Sequence, residues 1–145
     1  MRDSLTEHDL VALARTTLHL LDERRLDEWE QTMAPDAVFV GPGMDLKGRE
    51  EIRRFVEGFH QAFPDVAHRI DRLLVAGDTL IMEGVFTGTH EGVLRTPAGD
   101  VPPTGRRVEV REVQLVTIDR DGLAARFDTY FDRLEMLTQL GLTGH

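Results

Sequence analysis

The sequence has 145 residues, the size of one ordinary domain. A chain of this length buries enough surface to form a hydrophobic core without disulfides or structural metals. It carries 26 acidic and 17 basic residues, for a formal net charge of −9. Nucleic-acid binding depends on clustered Lys and Arg, so this charge disfavours it. The chain has no cysteine, which excludes disulfides, thiolate metal sites and cysteine nucleophiles.

The hydropathy pattern predicts a protein without a membrane partner. Residues 1–9 are charged rather than apolar, which is unlike a signal peptide. No apolar run approaches the ~18 residues that a membrane-spanning helix needs. We therefore expect a cytoplasmic protein.

The first half of the chain is predicted to be mainly helical. Apolar residues recur at three- and four-residue spacing over residues 10–21, and Thr6 is placed to cap this helix. Asp27 is expected to cap a short second helix that carries Met33 and ends at Pro35.

A third helix follows a short strand at residues 37–40 and a glycine-containing turn. Gly48 is predicted to open this helix, and Pro64 stops it. The apolar side chains that share one face of the helix are Ile52, Phe55, Val56, Phe59 and Phe63.

The hydrophobic period changes after residue 65 to that of strands. Four β-rich segments, divided by turn signals, are expected at residues 66–76, 79–89, 106–118 and 123–131. The longest irregular stretch, 92–105, is a candidate pocket rim, and a short helix from Arg133 to Leu140 closes the chain. Helices first and consecutive strands second predict an α+β fold, with helices on one face of an antiparallel sheet.

Three stretches of the sequence carry a resemblance to a known family. They are Phe63-Pro-Asp-Val, Gly88-Thr-His-Glu-Gly with Pro102-Pro-Thr-Gly-Arg-Arg-Val, and the ending Tyr130-Phe-Asp-Arg-Leu-Glu-Met-Leu-Thr-Gln-Leu-Gly-Leu. In this order and spacing they resemble the SnoaL-like polyketide cyclase (ester cyclase) family, within the nuclear transport factor 2-like superfamily. The resemblance covers nearly the whole chain, as a single domain over residues 1–145.

The resemblance implies both a fold and an activity. The fold is a cone-shaped α+β barrel, with N-terminal helices packed on a highly curved antiparallel sheet, and a homodimer forms through the sheet. In the cyclases an aspartate on the last strand is the general acid/base for intramolecular aldol closure of a polyketide ester. No metal or organic cofactor is used, and the partner is a small hydrophobic molecule such as a polyketide. A carboxyl in an apolar cone has a raised pKa, which suits proton exchange near neutral pH.

The last strand holds the first candidate catalytic residue. Strand alternation puts Phe127 and Thr129 on one face, and Arg126 and Asp128 on the other. Counted back from the Gln-Leu-Gly ending, the family's catalytic aspartate falls on Thr129. Either a β-bulge shifts Asp128 into the cone as the general acid/base, or that group is missing from its usual place and Asp128 pairs with Arg126 or Arg111 on the outer face. Thr129 and Phe127 are then expected to contact the substrate.

The preceding strand offers a second candidate. Its predicted inner face is apolar at both ends and carries Glu112 and Gln114 in the middle, as expected for a strand that lines a wet pocket. Glu112 is either the acid/base or the partner of Arg111 or Arg95 at the rim. Gln114 lies near the position of a substrate-orienting histidine in the family, and it can orient a carbonyl but cannot titrate.

Three further residues are candidates for substrate binding. His90 stands where a strand enters the long loop, and it either hydrogen-bonds the substrate or orders the loop. Phe39 and Phe59 are expected to line a cavity for a planar apolar ligand, or to belong to the core. The histidines show no metal-ligand spacing with a carboxylate, so no metal site is expected.

Other functions of the same scaffold stay open. Steroid isomerases carry their base at a position that resembles Gly41 here. Limonene epoxide hydrolases use an Asp-Arg-Asp set. The positions of this sequence that resemble it carry Thr129, Gly84 and Phe86 instead. A non-catalytic ligand-binding or dimerisation domain is the remaining alternative.

Overall fold

The computed structural model describes residues 5–96 and 98–142, and these form helices packed on a curved sheet. In chain order the elements are α1 (Glu7–Asp22), α2 (Leu26–Glu30), β1 (Met33–Gly41), β2 (Met44–Lys47), α3 (Arg49–Ala62), β3 (Ala67–Ala76), β4 (Thr79–Thr89), β5 (Leu94–Thr96), β6 (Gly99–Val101), β7 (Arg107–Ile118), β8 (Ala124–Phe131) and α4 (Arg133–Gln139).

The helix α1 begins at the predicted cap. The Thr6 hydroxyl accepts a hydrogen bond from the Asp9 backbone N–H at 3.0 Å, and the Asp9 carboxylate accepts one from the Thr6 N–H at 3.0 Å. This capping box satisfies donors that the first turn leaves free. None of the described helices combines the length and hydrophobicity that crossing a bilayer requires.

The segment after α1 differs from the prediction. The helix α2 ends at Glu30, and Met33, expected in that helix, is the fully buried first residue of β1. Pro35 does not end a helix but lies inside β1, where the pairing with β8 is interrupted between Met33 and Val38. A proline is tolerated there because no ladder hydrogen bond is required of it.

Six strands form one sheet in the order β2-β1-β8-β7-β4-β3, and β5 pairs with β6 in a separate hairpin inside the expected loop. Every pair in the large sheet is antiparallel except β1 with β8. The predicted α+β class is confirmed. The strand β2 was not predicted, because its four residues form only a short hairpin arm after the turn at Gly43.

The helices cover the concave face of this sheet. The amphipathic α3 begins after Gly48, whose φ of 88° favours glycine, and it turns Ile52 and Ala62 into the core. The helix α4 is capped by Asp132, whose carboxylate accepts a hydrogen bond from the Glu135 N–H at 3.1 Å. The space that remains between helices and sheet is the cavity described next.

Candidate active site

A cavity of about 450 Å³ lies between the concave face of the sheet and helices α1, α3 and α4. Most of its wall is hydrocarbon, and aromatic rings in contact with one another form much of it. Neighbouring centroids are 5.7 Å apart for Phe39 and Phe55, 6.1 Å for Phe39 and Phe127, and 5.9 Å for Phe59 and Phe86. The residues of the β5–β6 hairpin border the cavity on one side. Phe39, Phe59 and Phe127 thus lie where a bound molecule would contact them.

The strands β7 and β8 contribute polar side chains to the lining of this cavity. Strand alternation on β7 turns Glu112 and Gln114 to the concave face, and the same alternation on β8 turns Thr129 inward. Gln114 and Thr129 are register partners, and the Gln114 amide Nε2 donates to the Thr129 hydroxyl at 2.8 Å. No other described residue is hydrogen-bonded to the Thr129 O–H or the second Gln114 N–H, so both can donate to a ligand.

Glu112 contributes a carboxyl group to the cavity, from the face of β7 that forms part of the cavity wall. Its side chain is 18% exposed. Burial raises the pKa of Glu112, and the nearby charge of His68 opposes this rise. A carboxyl with this environment exchanges protons closer to neutral pH than an exposed glutamate does.

A histidine from β3 stands next to Glu112. His68 Nε2 is 4.0 Å from Glu112 Oε1, and His68 Nδ1 is 2.8 Å from Asp22 Oδ1 at the C-terminal end of α1. The backbone N–H of His68 also donates to Asp22 Oδ2, at 3.1 Å. Burial acts to lower the pKa of His68, but the hydrogen bond to Asp22 and the charge of Glu112 outweigh it, so the pKa is raised.

The meeting of His68 and Glu112 depends on a glycine. β4 lies between β3 and β7, and its Gly84 is the register partner of Glu112. β3 shifts register near Asp71, and there its backbone passes so close that a Cβ on Gly84 would lie 1.9 Å from the carbonyl oxygen of Arg69. Only glycine allows β3 to curl over β4 in this way.

A second histidine, His60 of α3, also lines the cavity. Burial lowers its pKa to about 4, with a further contribution from the Arg24 and His68 charges, so the ring is neutral near pH 7. Its Nδ1 is buried without a hydrogen-bond partner among the described residues.

Asp128 lies elsewhere than a catalytic role requires. A register shift does occur in β8, but it falls at Ala125, and the alternation is regular from Arg126 to Phe131. The Asp128 carboxylate therefore points to the outer face, where Arg126 donates to it at 2.9 and 3.0 Å. Of the alternatives that the sequence left open for Asp128, these contacts match the ion pair with Arg126 on the outer face rather than a position inside the cone.

His90 is also outside the cavity lining. Its ring is fully buried, stacks on Phe63 with centroids 5.3 Å apart, and accepts at Nδ1 a hydrogen bond from the Thr104 N–H at 3.2 Å. The His90 backbone bonds Arg106 and Gly105. Of the two roles that the sequence left open, these contacts match ordering of the loop rather than contact with a substrate.

The sequence interpretation missed Asp22, His60 and His68. One signal was present for His68, because alternation with Val66 and Ile70 places it on an apolar strand face. No local signal exists for its pairing with Asp22, since 46 residues separate them.

Comparison with known proteins identifies the family. The family model for SnoaL-like polyketide cyclases matches residues 11–140, so the chain belongs to the SnoaL-like polyketide cyclase family. The comparison with curated proteins gives no match.

Solved structures share the fold over nearly their full length. TsrD from Streptomyces laurentii is 24% identical, with a TM-score of 0.81 over 96% of this chain and 99% of its own. AclR from Streptomyces galilaeus, a proposed hydroxylase, is 21% identical, with a TM-score of 0.80 over 96% and 100%. IdmH from Streptomyces antibioticus, a proposed polyketide cyclase, is 26% identical, with a TM-score of 0.76 over 92% and 99%.

Proposed function

We propose that the protein is a cofactor-independent cyclase that closes a ring in an apolar, polyketide-like ester, with Glu112 as the general acid/base. The observation that carries this proposal is the Glu112 carboxyl, desolvated inside a largely hydrocarbon cavity of about 450 Å³, a volume typical of small-molecule sites. The family match supports the reaction class.

The reaction is an isomerisation by carbon–carbon bond formation. The Glu112 carboxylate removes a proton from a carbon next to a carbonyl, and the electron pair of the C–H bond passes into an enolate. The enolate carbon attacks a second carbonyl of the same molecule, so a C–C bond forms and the π pair moves onto oxygen. Protonated Glu112 then returns its proton to that alkoxide, and no redox partner is needed.

Gln114 and Thr129 supply neutral donors to this sequence of steps. The Thr129 hydroxyl oxygen is occupied as an acceptor, so its O–H faces away from Gln114. Together with the free Gln114 N–H it stabilises the oxygen on which negative charge develops. Phe39, Phe59 and Phe127 hold the apolar body of the substrate and exclude water.

Glu112→Gln is the first test of the assignment. The substitution keeps the size and hydrogen-bonding oxygen but removes the titrating group, so kcat for ring closure of an aromatic-polyketide-like ester should fall roughly 10²–10⁴-fold. The matched control is Asp128→Asn, which removes the carboxylate from the outer face and should leave kcat unchanged. Turnover that survives in Glu112→Gln, with an intact circular-dichroism spectrum, contradicts the assignment.

A second function, non-catalytic ligand binding, is favoured by one observation. Thr129 occupies the position on which the family's catalytic aspartate falls. A binding protein should show a higher melting temperature with hydrophobic ligands, and mass spectrometry should recover the ligand unchanged.

We also propose a homodimer through the outer face of the sheet. Apolar residues on that face support it: Tyr130 is 59% exposed and is the register partner of Val113, and Leu115 lies next along β7 on the same side.

A further inference from the structure

We infer that Asp22 and His68 are positioning residues that hold Glu112 in its ionised, proton-accepting form across the intervening strand β4. This inference rests on the proposed role of Glu112 and adds to it the part of the chain that regulates that carboxyl.

Asp22 holds His68 by two contacts. One Asp22 oxygen faces His68 Nδ1 at 2.8 Å, and the other accepts from the His68 backbone N–H at 3.1 Å. Because a carboxylate only accepts, Nδ1 carries the hydrogen of that bond. Two contacts to one carboxylate fix both the ring orientation and the backbone at residue 68.

The side chain of Arg24 fixes the position of Asp22. Arg24 donates to the carbonyl oxygen of Asp22 at 2.8 Å and to those of Val66 and Pro64 at 3.1 and 2.6 Å. It therefore ties the end of α1 to the chain that leads into β3. Arg24 has a φ of 61°, an uncommon conformation for a residue other than glycine, which the three hydrogen bonds maintain.

The protonation state of His68 affects that of Glu112. With Nδ1 engaged, Nε2 faces Glu112 Oε1 at 4.0 Å, an ion-pair distance longer than a hydrogen bond. A protonated His68 presents an N–H to the carboxylate, whereas a neutral His68 presents a lone pair that favours a protonated carboxyl. The charge of each group therefore affects the pKa of the other, and the two titrations are coupled.

The titratable and charged groups that act on His68 and Glu112, including these two on each other, lie on several elements. Asp22 and Arg24 act from the end of α1 and the turn after it, Glu112 acts from β7, and His60 acts from α3. His60 is neutral near pH 7, so it adds no charge there. Asp22 is the anion that keeps the proton on His68, and this leaves Glu112 as the carboxylate.

The test is an NMR titration of the full chain, in which the side-chain carboxyl carbon of Glu112 is followed in wild type, Asp22→Asn and His68→Gln. The direct effect of the Asp22 charge is to raise the pKa of Glu112, so its removal alone would lower that pKa. If Asp22 acts through His68, Asp22→Asn instead takes the proton from His68. Both variants should then raise the apparent pKa of Glu112 by about one pH unit.

The two directions make the outcome decisive. If the apparent pKa of Glu112 is lowered or unchanged in Asp22→Asn, the inference is overturned. An unchanged apparent pKa in His68→Gln also overturns it. Asp128→Asn is the control and should leave the titration in place. Circular dichroism checks that each variant is folded, and asparagine at position 22 retains an oxygen for the His68 backbone N–H.

Activity separates this inference from the proposed function. The acidic limb of the kcat–pH profile should move to higher pH in Asp22→Asn and His68→Gln, with little change in KM. Full activity in Glu112→Gln together with the titration shift means that the pair exists but the cyclase assignment fails. Loss of activity in Glu112→Gln with no titration shift in the other two variants means the reverse.

Discussion

At the scale of single residues, buried titratable side chains make the stability of this protein depend on pH. His60 has a pKa of about 4 when folded and an ordinary one when unfolded, so between pH 6.5 and 4 the unfolded chain binds a proton that the folded one does not. Its contribution to stability is therefore lost as pH falls through this window. His68 and Glu112, whose pKa values are raised, act in the opposite sense and lose stability as pH rises.

His60→Gln should reduce the acid sensitivity of the fold. Between pH 6.5 and 4 the wild type should lose roughly 1–2 kcal/mol more stability than the variant, a range that allows for the half-buried ring. Urea unfolding at a series of pH values measures the difference. His19→Gln is the control, because His19 is exposed on α1 and does not line the cavity, and this variant should follow the wild-type curve. Parallel curves for His60→Gln and wild type would contradict the lowered pKa.

Some residues of the candidate site could be predicted from the sequence, and others could not. Glu112 and Gln114 were predicted on one strand face because alternation needs only local sequence. Asp128 was uncertain because a one-residue bulge exchanges the two faces of a strand, and its position was not visible in the sequence. His68 was missed because its partners lie on α1 and β7, and only folding brings them together.

At the scale of elements, the curl of β3 is the feature that shapes the site. The close approach of the Arg69 carbonyl to Gly84 leaves no room for a side chain. This packing moves His68 toward the cavity and Glu112. The same curvature closes one end of the sheet into a cone.

Gly84→Ala should destabilise the protein strongly, because either β3 or β4 must move away from the clash. We expect a loss of about 2–4 kcal/mol, as for an overpacked core position, and a weakened contact between His68 and Glu112. Chemical denaturation gives the first quantity. Gly58→Ala is the control: Gly58 lies inside α3 with open space at its Cβ, and alanine should stabilise that helix by about 0.5–1 kcal/mol. Equal effects at both positions would contradict the packing argument.

The elements themselves were well predicted where their periodicity is long. The four long strands and α3 were predicted to within a few residues, since burial of one face imposes a clear pattern. The errors concern β1, β2 and the β5–β6 hairpin, which lies in a stretch that was expected to be irregular. Met33 and Pro35 were predicted to lie at the end of a helix, but they belong to β1, which pairs with β8. This parallel partner is distant in sequence, so the pairing leaves no local signal.

At the scale of the whole molecule, the outer face of the sheet is the surface proposed for dimerisation. Tyr130→Glu places a charge among Val113 and Leu115, and a dimer formed there should dissociate to a monomer. Light scattering coupled to size-exclusion chromatography measures the mass directly. Leu134→Glu is the matched control, because Leu134 is 64% exposed on α4 rather than on the sheet, and it should leave the mass unchanged. A wild-type protein of monomer mass contradicts the proposal outright.

The sequence by itself determined the α+β class, the order of the long elements, the family and the inward face of β7. These follow from local periodicity and from motifs whose spacing the chain carries directly. The tertiary structure alone decided that Asp128 faces outward, that His90 is buried beneath its loop, and that His68 lies between Asp22 and Glu112. Each of these depends on strand register and sheet curvature, and both arise from packing between segments far apart in the chain.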